Sequence, residues 1–319
     1  MKLKWIVRLS ITLNILIITT FIILGLKYWG FYHGSRLRPF RTDGLTSSFQ
    51  WPEGKKMALS FTFDDAYYSQ IDSGVPLFDK YGIKATFYVS VWRLAQRQEA
   101  WKKAISRGHE IGNHTYNHPC SGNYDFISGN ALEDYTIPRI EFELYAANEY
   151  IKEMLGIYPV SFAYPCGDTF TGKGINAQSY VPLISVMFES GRLYEAGMAN
   201  PVICDMAQLP AEKLDGRSLN EIKGLIETAK SKGSWLILVG HEISQGENET
   251  SSLSTIEAIC NYAMDPSNGI WVDNIHNIAS YVREKRGDEP FVQMPDTKNL
   301  VPKTFSKLWS KYYVLKSKL

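Results

Sequence analysis

The chain predicts an α/β barrel preceded by one membrane-spanning helix. Three features lead there: a strand-like run ending in the carboxylate pair Asp64-Asp65, a second apolar run ending in His241, and an uncharged apolar stretch over residues 9–26. In α/β barrels the groups that do chemistry gather at the carboxyl ends of the strands. Two runs that each deliver titratable residues to their last position therefore set the architecture and the place of a site together.

Taken in chain order, residues 9–26 are rich in Ile and Leu, interrupted mainly by Ser10, Thr12, Asn14, Thr19 and Thr20, and long enough to span a bilayer as a helix. Lys2, Lys4 and Arg8 precede the run, so the positive-inside tendency keeps the short N-terminus in the cytoplasm and sends the rest outside. A cleavable signal peptide competes, but Gly25-Leu26-Lys27-Tyr28-Trp29 offers no Ala-x-Ala-like site. The reading is an uncleaved anchor with Tyr28 and Trp29 at the outer interface. Residues 1–30 form the cytoplasmic end and anchor, 31–55 an aperiodic stem, 56–290 the barrel and 291–319 a basic tail. About 290 residues outside the anchor suffice for one barrel and leave little for a second domain.

Within the barrel, residues 58–63 alternate as a half-buried strand, with Leu59, Phe61 and Phe63 on one face. Trp235 to Gly240 is continuously apolar and reads as a buried parallel strand. Residues 119–133, with Gly122, Gly129 and two Asn, form a loop placed to shape a substrate groove. Residues 140–155 carry the 3.6-residue spacing of a barrel helix, and Ser254-Thr255-Ile256-Glu257 has the pattern of a capping box opening another. In the tail, Phe305, Leu308, Trp309 and Tyr312 recur at helical spacing among lysines, which suits either a membrane surface or a helix docked on the barrel with solvated lysines. The formal net charge is +1, and nothing points to nucleic acid.

The chemistry rests on His114 and His118, four residues apart, and on the Asp pair about fifty residues upstream. Two imidazoles and one carboxylate leave positions open on a divalent metal, which is what activation of water requires. Where the chain turns, adjacent carboxylates can approach one site, one binding metal and the other free as a base. Each feature has a bland reading: Asp64-Asp65 as the start of a turn, the histidines as surface neighbours on a helix, His241 as a structural residue. A zincin is excluded by spacing, because Glu110 follows His109 and the next histidine is His114. Asn113-His114-Thr115 and Asn248-Glu249-Thr250 match the glycosylation sequon. A glycan on the first would lie inside the metal site, so only the second stays open.

Thr62-Phe63-Asp64-Asp65-Ala66, His114-Thr115-Tyr116-Asn117-His118, Phe162-Ala163-Tyr164-Pro165-Cys166-Gly167 and Leu238-Val239-Gly240-His241 together resemble the successive motifs of the polysaccharide deacetylases, the NodB-homology carbohydrate esterases. The resemblance runs from Met57 to about Tyr281. It implies a distorted (β/α) barrel, a divalent metal that is usually zinc, and removal of acetyl groups from sugars. Matched residue by residue, it implies Asp64 as general base, Asp65, His114 and His118 as metal ligands, His241 as general acid and the Cys166 amide as oxyanion donor, with Tyr164 and Pro165 beside it in the groove. Ala66 stands where the family has glycine, which matters only if that backbone needs positive φ. Ala163 stands where many members carry an arginine that orients the catalytic aspartate, so Asp64 is expected to be held differently. The acid that tunes the terminal histidine has no clear match. Asp205 is the best candidate by chain order, but an ordinary loop aspartate is the favoured description of it.

Cys120, Cys166, Cys204 and Cys260 are even in number in a chain expected to face an oxidising compartment. Cys120 and Cys166 fall beside the second and third motifs, so a bridge between them is one arrangement and four unbridged thiols the other. The expectation is a membrane-anchored, metal-dependent hydrolase that deacetylates an acetylated polysaccharide or oligosaccharide outside the cytoplasm. The alternative is a glycan-binding module that has kept barrel and metal as scaffold.

Overall fold

The computed structural model describes residues 49–244, 250–289 and 291. In chain order the strands are β1 (Met57–Asp64), β2 (Thr86–Val89), β3 (Glu110–Asn113), β4 (Ser161–Ala163), β5 (Phe170–Thr171), β6 (Gln178–Ser179), β7 (Ser190–Arg192), β8 (Glu212–Lys213), β9 (Trp235–Gly240), β10 (Glu242–Ser244), β11 (Thr250–Ser252) and β12 (Ile270–Val272). The α-helices are α1 (Val75–Lys80), α2 (Val91–Leu94), α3 (Gln98–Ser106), α4 (Ile137–Leu155), α5 (Val181–Met187), α6 (Leu219–Lys232), α7 (Leu253–Met264) and α8 (Ile275–Arg286).

Eight strands form one curled sheet in the order β7-β4-β3-β2-β1-β9-β8, with β12 also on β1, and every pairing in it is parallel. Curling shows in how β1 is shared. One of its edges carries β9 throughout, while the other carries β12 over its first half and β2 over its second. At the far side, Leu209 bridges to Arg192 while Glu212 and Lys213 pair with β9, so this segment turns the sheet back toward itself.

All eight residues of β1 are buried, not only the Leu59, Phe61 and Phe63 face. A central parallel strand is covered on both sides, and the inner-facing polar groups find partners: Thr62 Oγ1 donates to the Leu238 carbonyl (2.8 Å) and Trp235 Nε1 to Ser60 Oγ (3.1 Å). β9 is buried throughout, as its composition predicts. Helix α4 starts one turn earlier than the periodicity suggests, with Pro138 in its first turn, and ends at Gly156 in a left-handed conformation.

The capping box expected at Ser254 does not form. Helix α7 begins at Leu253 behind Ser252, which places Ser254 inside the first turn, and Glu257 instead pairs with Lys80 at 2.6 Å. A capping box does open α6, where Ser218 and Glu221 bond reciprocally. The expected stem ends early: Trp51 is buried, packs with Trp271 and Tyr281 and donates its indole N–H to the Gly233 carbonyl (3.0 Å). The anchor at 9–26, the rest of the stem, Asn248 and the tail beyond 291 lie outside the described residues. Among the described residues no helix is long and apolar enough to cross a membrane.

Candidate active site

The carboxyl ends of β1, β3, β4 and β9 meet at one rim. Asp64 is the last residue of β1, and Asp65 follows at φ 74° and Ala66 at φ 54°. This left-handed turn replaces the alternation of a strand, so both carboxylates face one point: His114 Nε2 lies 3.9 Å from Asp64 Oδ2 and 3.9 Å from Asp65 Oδ1. The backbone at Ala66 does require positive φ, a conformation glycine adopts more readily. The buried methyl packs into the core instead.

His114 and His118 do not share a helix. They sit on an irregular turn after β3 with Thr115 at φ 62° and His118 at φ 50°. Helix α4 holds this turn, since Glu143 accepts from the Asn117 amide (2.8 Å) and side chain (2.7 Å). Asn113 is fully buried, with its side chain bonded to the Leu144 carbonyl and to Asn148, which disposes of the first sequon.

The ligand atoms of Asp65, His114 and His118 lie within 4.8 Å of one another, a donor set suited to a divalent first-row ion. Each imidazole is oriented from behind. His114 Nδ1 is 2.9 Å from the Ala163 carbonyl, which can only accept, so Nε2 keeps its lone pair for the site. His118 Nδ1 faces Cys120 Sγ at 3.7 Å, leaving Nε2 3.7 Å from Asp65 Oδ1. Burial is the main reason His114 is pushed down to about 4, which keeps it neutral and able to ligate near neutral pH. Burial opposes the charged form of Asp65, but His118, His114, His241 and the Ser90 hydroxyl (2.8 Å) outweigh it and lower the pKa.

Two residues at this rim escaped the sequence reading. Asp215, not Asp205, supports the terminal histidine: its Oδ2 is 2.6 Å from His241 Nδ1, and its Oδ1 accepts from Ser251 Oγ (2.6 Å) and the His241 amide (3.2 Å). Asp205 instead caps a short helical turn through the Ala207 amide. A signal for Asp215 existed in Leu214-Asp215-Gly216, an acid two residues after a short strand. Gly240 is what lets the pair approach, because a Cβ there would lie 2.4 Å from Ser251 Oγ and 3.1 Å from Asp215 Oδ1. Burial works against a charged His241, but the hydrogen bond to Asp215 and the charges of Asp64, Asp215 and Asp65 raise its pKa to about 9.

The other is Arg192, fully buried, whose Nη2 pairs with Asp64 Oδ1 and whose guanidinium lies 5.0 Å from the Tyr88 ring centre. Ala163 on β4 and Arg192 on β7 are register partners. The cation missing at Ala163 is thus supplied from the neighbouring strand at the same level. A lone arginine in the strand Ser190-Gly191-Arg192 was the only trace in sequence. Below the rim, Gln70 Nε2 donates to the carbonyls of Asp64 (2.5 Å) and His241 (2.8 Å), tying the ends of β1 and β9 together.

Of the third motif, only Cys166 and Gly167 are partly exposed. The Tyr164 side chain is buried, with its hydroxyl on the Ala207 carbonyl (2.8 Å), and Pro165 is buried in the turn, so neither side chain lines a groove. β4 and the residue that follows it place Phe162 and Tyr164 in a core cluster with Tyr180 and Phe188. Cys166, at φ 55°, is bridged to Cys120, which joins the histidine turn to the third-motif turn. Cys204 and Cys260 are free. Closing a loop across 46 residues is worth about 4 kcal/mol in chain entropy. Cys120→Ser is expected to lower the melting temperature and, by loosening His118, to weaken metal retention. Thermal unfolding with metal analysis checks this, and unchanged retention would show that the bridge does not position the histidine.

Residues 52–180 match the family model described as polysaccharide deacetylase. Over 113 residues the chain is 31% identical to the uncharacterized protein YlxY of Bacillus subtilis (strain 168), covering 35% of this chain and 32% of that protein. Over 161 residues it is 24% identical to the peptidoglycan-N-acetylglucosamine deacetylase PgdA of Listeria monocytogenes serotype 1/2a (strain 10403S), covering 48% of this chain and 32% of the relative. The chain spans about a third of the length of these two relatives. In fold it resembles a crystal structure from Mycobacterium smegmatis assigned to the polysaccharide deacetylases, with a TM-score of 0.55 and 15% identity over 78% of this chain and 98% of the other. The curled parallel sheet, the ordered motifs and the matched segment agree: this chain carries a polysaccharide deacetylase domain.

Proposed function

We propose that this protein is a metal-dependent hydrolase that removes acetyl groups from a polysaccharide outside the cytoplasmic membrane. The observation that carries the reading is the convergence of Asp65, His114 and His118 within 4.8 Å, with Asp64 at 3.9 Å from the His114 ligand atom. A divalent ion held there, with zinc expected, would polarise the acetyl carbonyl and lower the pKa of water beside it. Asp64, anchored by Arg192, accepts the proton of the attacking water. The Cys166 amide donates to the oxygen that gains charge as the carbonyl becomes tetrahedral. His241, protonated and braced by Asp215, delivers a proton to the departing amine or alcohol. The alternative of a binding module without catalysis drew on Ala163, and it loses that ground because Arg192 supplies a cation to the same aspartate.

The relative from Listeria monocytogenes carries peptidoglycan N-acetylglucosamine in its name, which makes N-acetylated glucosamine glycans the first substrates to offer, with O-acetylated xylan as the ester test. Acetate release that stops with a chelator and returns with zinc is the expected result, and no release from either class would overturn the reading. His114→Ala and His118→Ala are each expected to abolish binding of about one ion per chain, because a three-ligand site has no spare donor. Full occupancy in both variants would refute the metal centre.

A general acid must hold its proton, so turnover is expected to persist to about pH 9 and to fall as His241 deprotonates above it. Because this pKa is raised by folding from 6.5 to about 9, the associated stability is fully present below the first value and is lost as the pH rises from it through the second. Asp215→Asn removes a negative charge from the ring and moves the fall to lower pH. An alkaline limb that stays put in that variant would deny His241 the role.

The anchor proposed at 9–26 would place the barrel outside the membrane, facing envelope or exported polysaccharide. Protease added to spheroplasts should digest the barrel, and complete protection would refute this orientation.

A further inference from the structure

We infer that the bridge at the rim masks a second metal site: once Cys120–Cys166 is reduced, the two sulfurs and His118 form a sulfur-rich site that takes the ion from Asp65 and His114. The ligand atoms of His118, Cys120 and Cys166 lie within 4.8 Å of one another, as do those of Asp65, His114 and His118. His118 belongs to both groups. Its Nδ1 is 3.7 Å from Cys120 Sγ, while its Nε2 is 3.7 Å from Asp65 Oδ1. One imidazole thus stands between two donor sets, with a different nitrogen turned to each.

The spacing suits a metal. Sulfur binds zinc at about 2.3 Å and imidazole nitrogen at about 2.0–2.1 Å, so neighbouring donors of a tetrahedral site stand roughly 3.5–3.8 Å apart. His118 Nδ1 and Cys120 Sγ already have this separation. What remains is for the two sulfurs to part, and with α-carbons 5.8 Å apart a rotation of the partly exposed Cys166 side chain achieves it. Cys120 is fully buried and its turn is fixed, since the Leu132 amide donates to its carbonyl (2.9 Å) and the neighbouring Ser121 amide to Asp168 Oδ2 (2.8 Å). Cys204 and Cys260 belong to no such group among the described residues.

The chemistry favours the transfer, because zinc and other soft-accepting ions prefer thiolate to carboxylate. A dithiol donor supplies two electrons and two protons to the bridge, giving two thiols, and closes its own disulfide. Capture of the ion then releases two protons to solvent. His118 swings its allegiance from Nε2 to Nδ1, and the ion leaves Asp65, His114 and the water that Asp64 serves. The reduced protein therefore keeps an ion and loses turnover. Disulfides persist outside the cytoplasm and are reduced within it, so this exchange holds the deacetylase off wherever thiols stay reduced.

Only the loss of turnover rests on the deacetylase reading, and the experiment separates the two. The full chain in detergent is loaded with cobalt(II), and its near-ultraviolet absorption and acetate release are recorded before and after reduction by a water-soluble phosphine, which is oxidised to its oxide and then removed. The expected result is no sulfur-to-cobalt charge-transfer band in the bridged protein and a clear band after reduction, with cobalt still at about one per chain. Acetate release falls at least tenfold, and both changes reverse on reoxidation. Cys204→Ser/Cys260→Ser keeps the band, and Cys166→Ser removes it. His114→Ala, which has no ion while bridged, gains one with the band on reduction, because His114 is not a donor of the sulfur site. No band in the reduced protein, or a band that survives in Cys166→Ser, overturns the second site. A band accompanied by a second cobalt per chain overturns the transfer. The band and its reversal without acetate release in either state remove the deacetylase reading and keep the site.

Discussion

Asp64→Asn is expected to keep its divalent ion and to lose turnover by about 10²- to 10⁴-fold, the range for removing a positioned general base. The amide has the carboxylate's shape but cannot take a proton from water, and Asp64 is only 4% exposed, so bulk solvent does not replace it. Asp65→Asn is expected to lose ion and activity together, because an amide oxygen is a poor substitute for a charged ligand in a three-donor site. These expectations give the neighbours different jobs although His114 Nε2 lies 3.9 Å from an oxygen of each. Metal analysis beside single-turnover acetate release reads the division directly. Equal metal loss in both variants would mean that the two carboxylates share the ion and that the base is another group.

Arg192→Ala carries the second large effect. Removing one partner of a buried ion pair leaves an uncompensated charge, at a cost of about 3–5 kcal/mol. Asp64, released from its tether, would also stand in the wrong orientation for the water it serves. The expected outcome is a clear drop in denaturant midpoint together with a fall in kcat that exceeds any change in KM. Because Ala163 is the register partner of Arg192, Ala163→Arg introduced into the Arg192→Ala background is expected to restore part of both. The rescue keeps the test meaningful even if the single variant folds poorly. A stable Arg192→Ala with unaltered kcat would show that the pairing with Asp64 is incidental to catalysis.

The site was legible where its residues are consecutive or end a strong apolar run. Asp64-Asp65, His114 with His118, and His241 announce themselves because β1 and β9 are long, buried and terminated at the rim. The left-handed turn at Asp65 and Ala66 was not legible, since neither residue type demands it. Tyr164 was misplaced because matching a motif assigns a residue to a neighbourhood but not to a face, and the backbone of β4 turns that ring into the core.

The sequence by itself determined the barrel class, the residue types of the candidate metal site and the strands that deliver them, because hydrophobic periodicity and local spacing are properties of short stretches of chain. Only the tertiary structure decided which acid serves His241 and which cation holds Asp64. Asp215 is 26 residues from His241, and Arg192 is 128 residues from Asp64. Partners that far apart meet only because parallel pairing sets β7 beside β4, and the segment after β8 against β9, at one level of the sheet. The physical reason is that a charge can be neutralised from any strand that reaches the same point in space. The requirement for a partner is written in the chemistry of the site, whereas its position along the chain is written only in the register of the sheet.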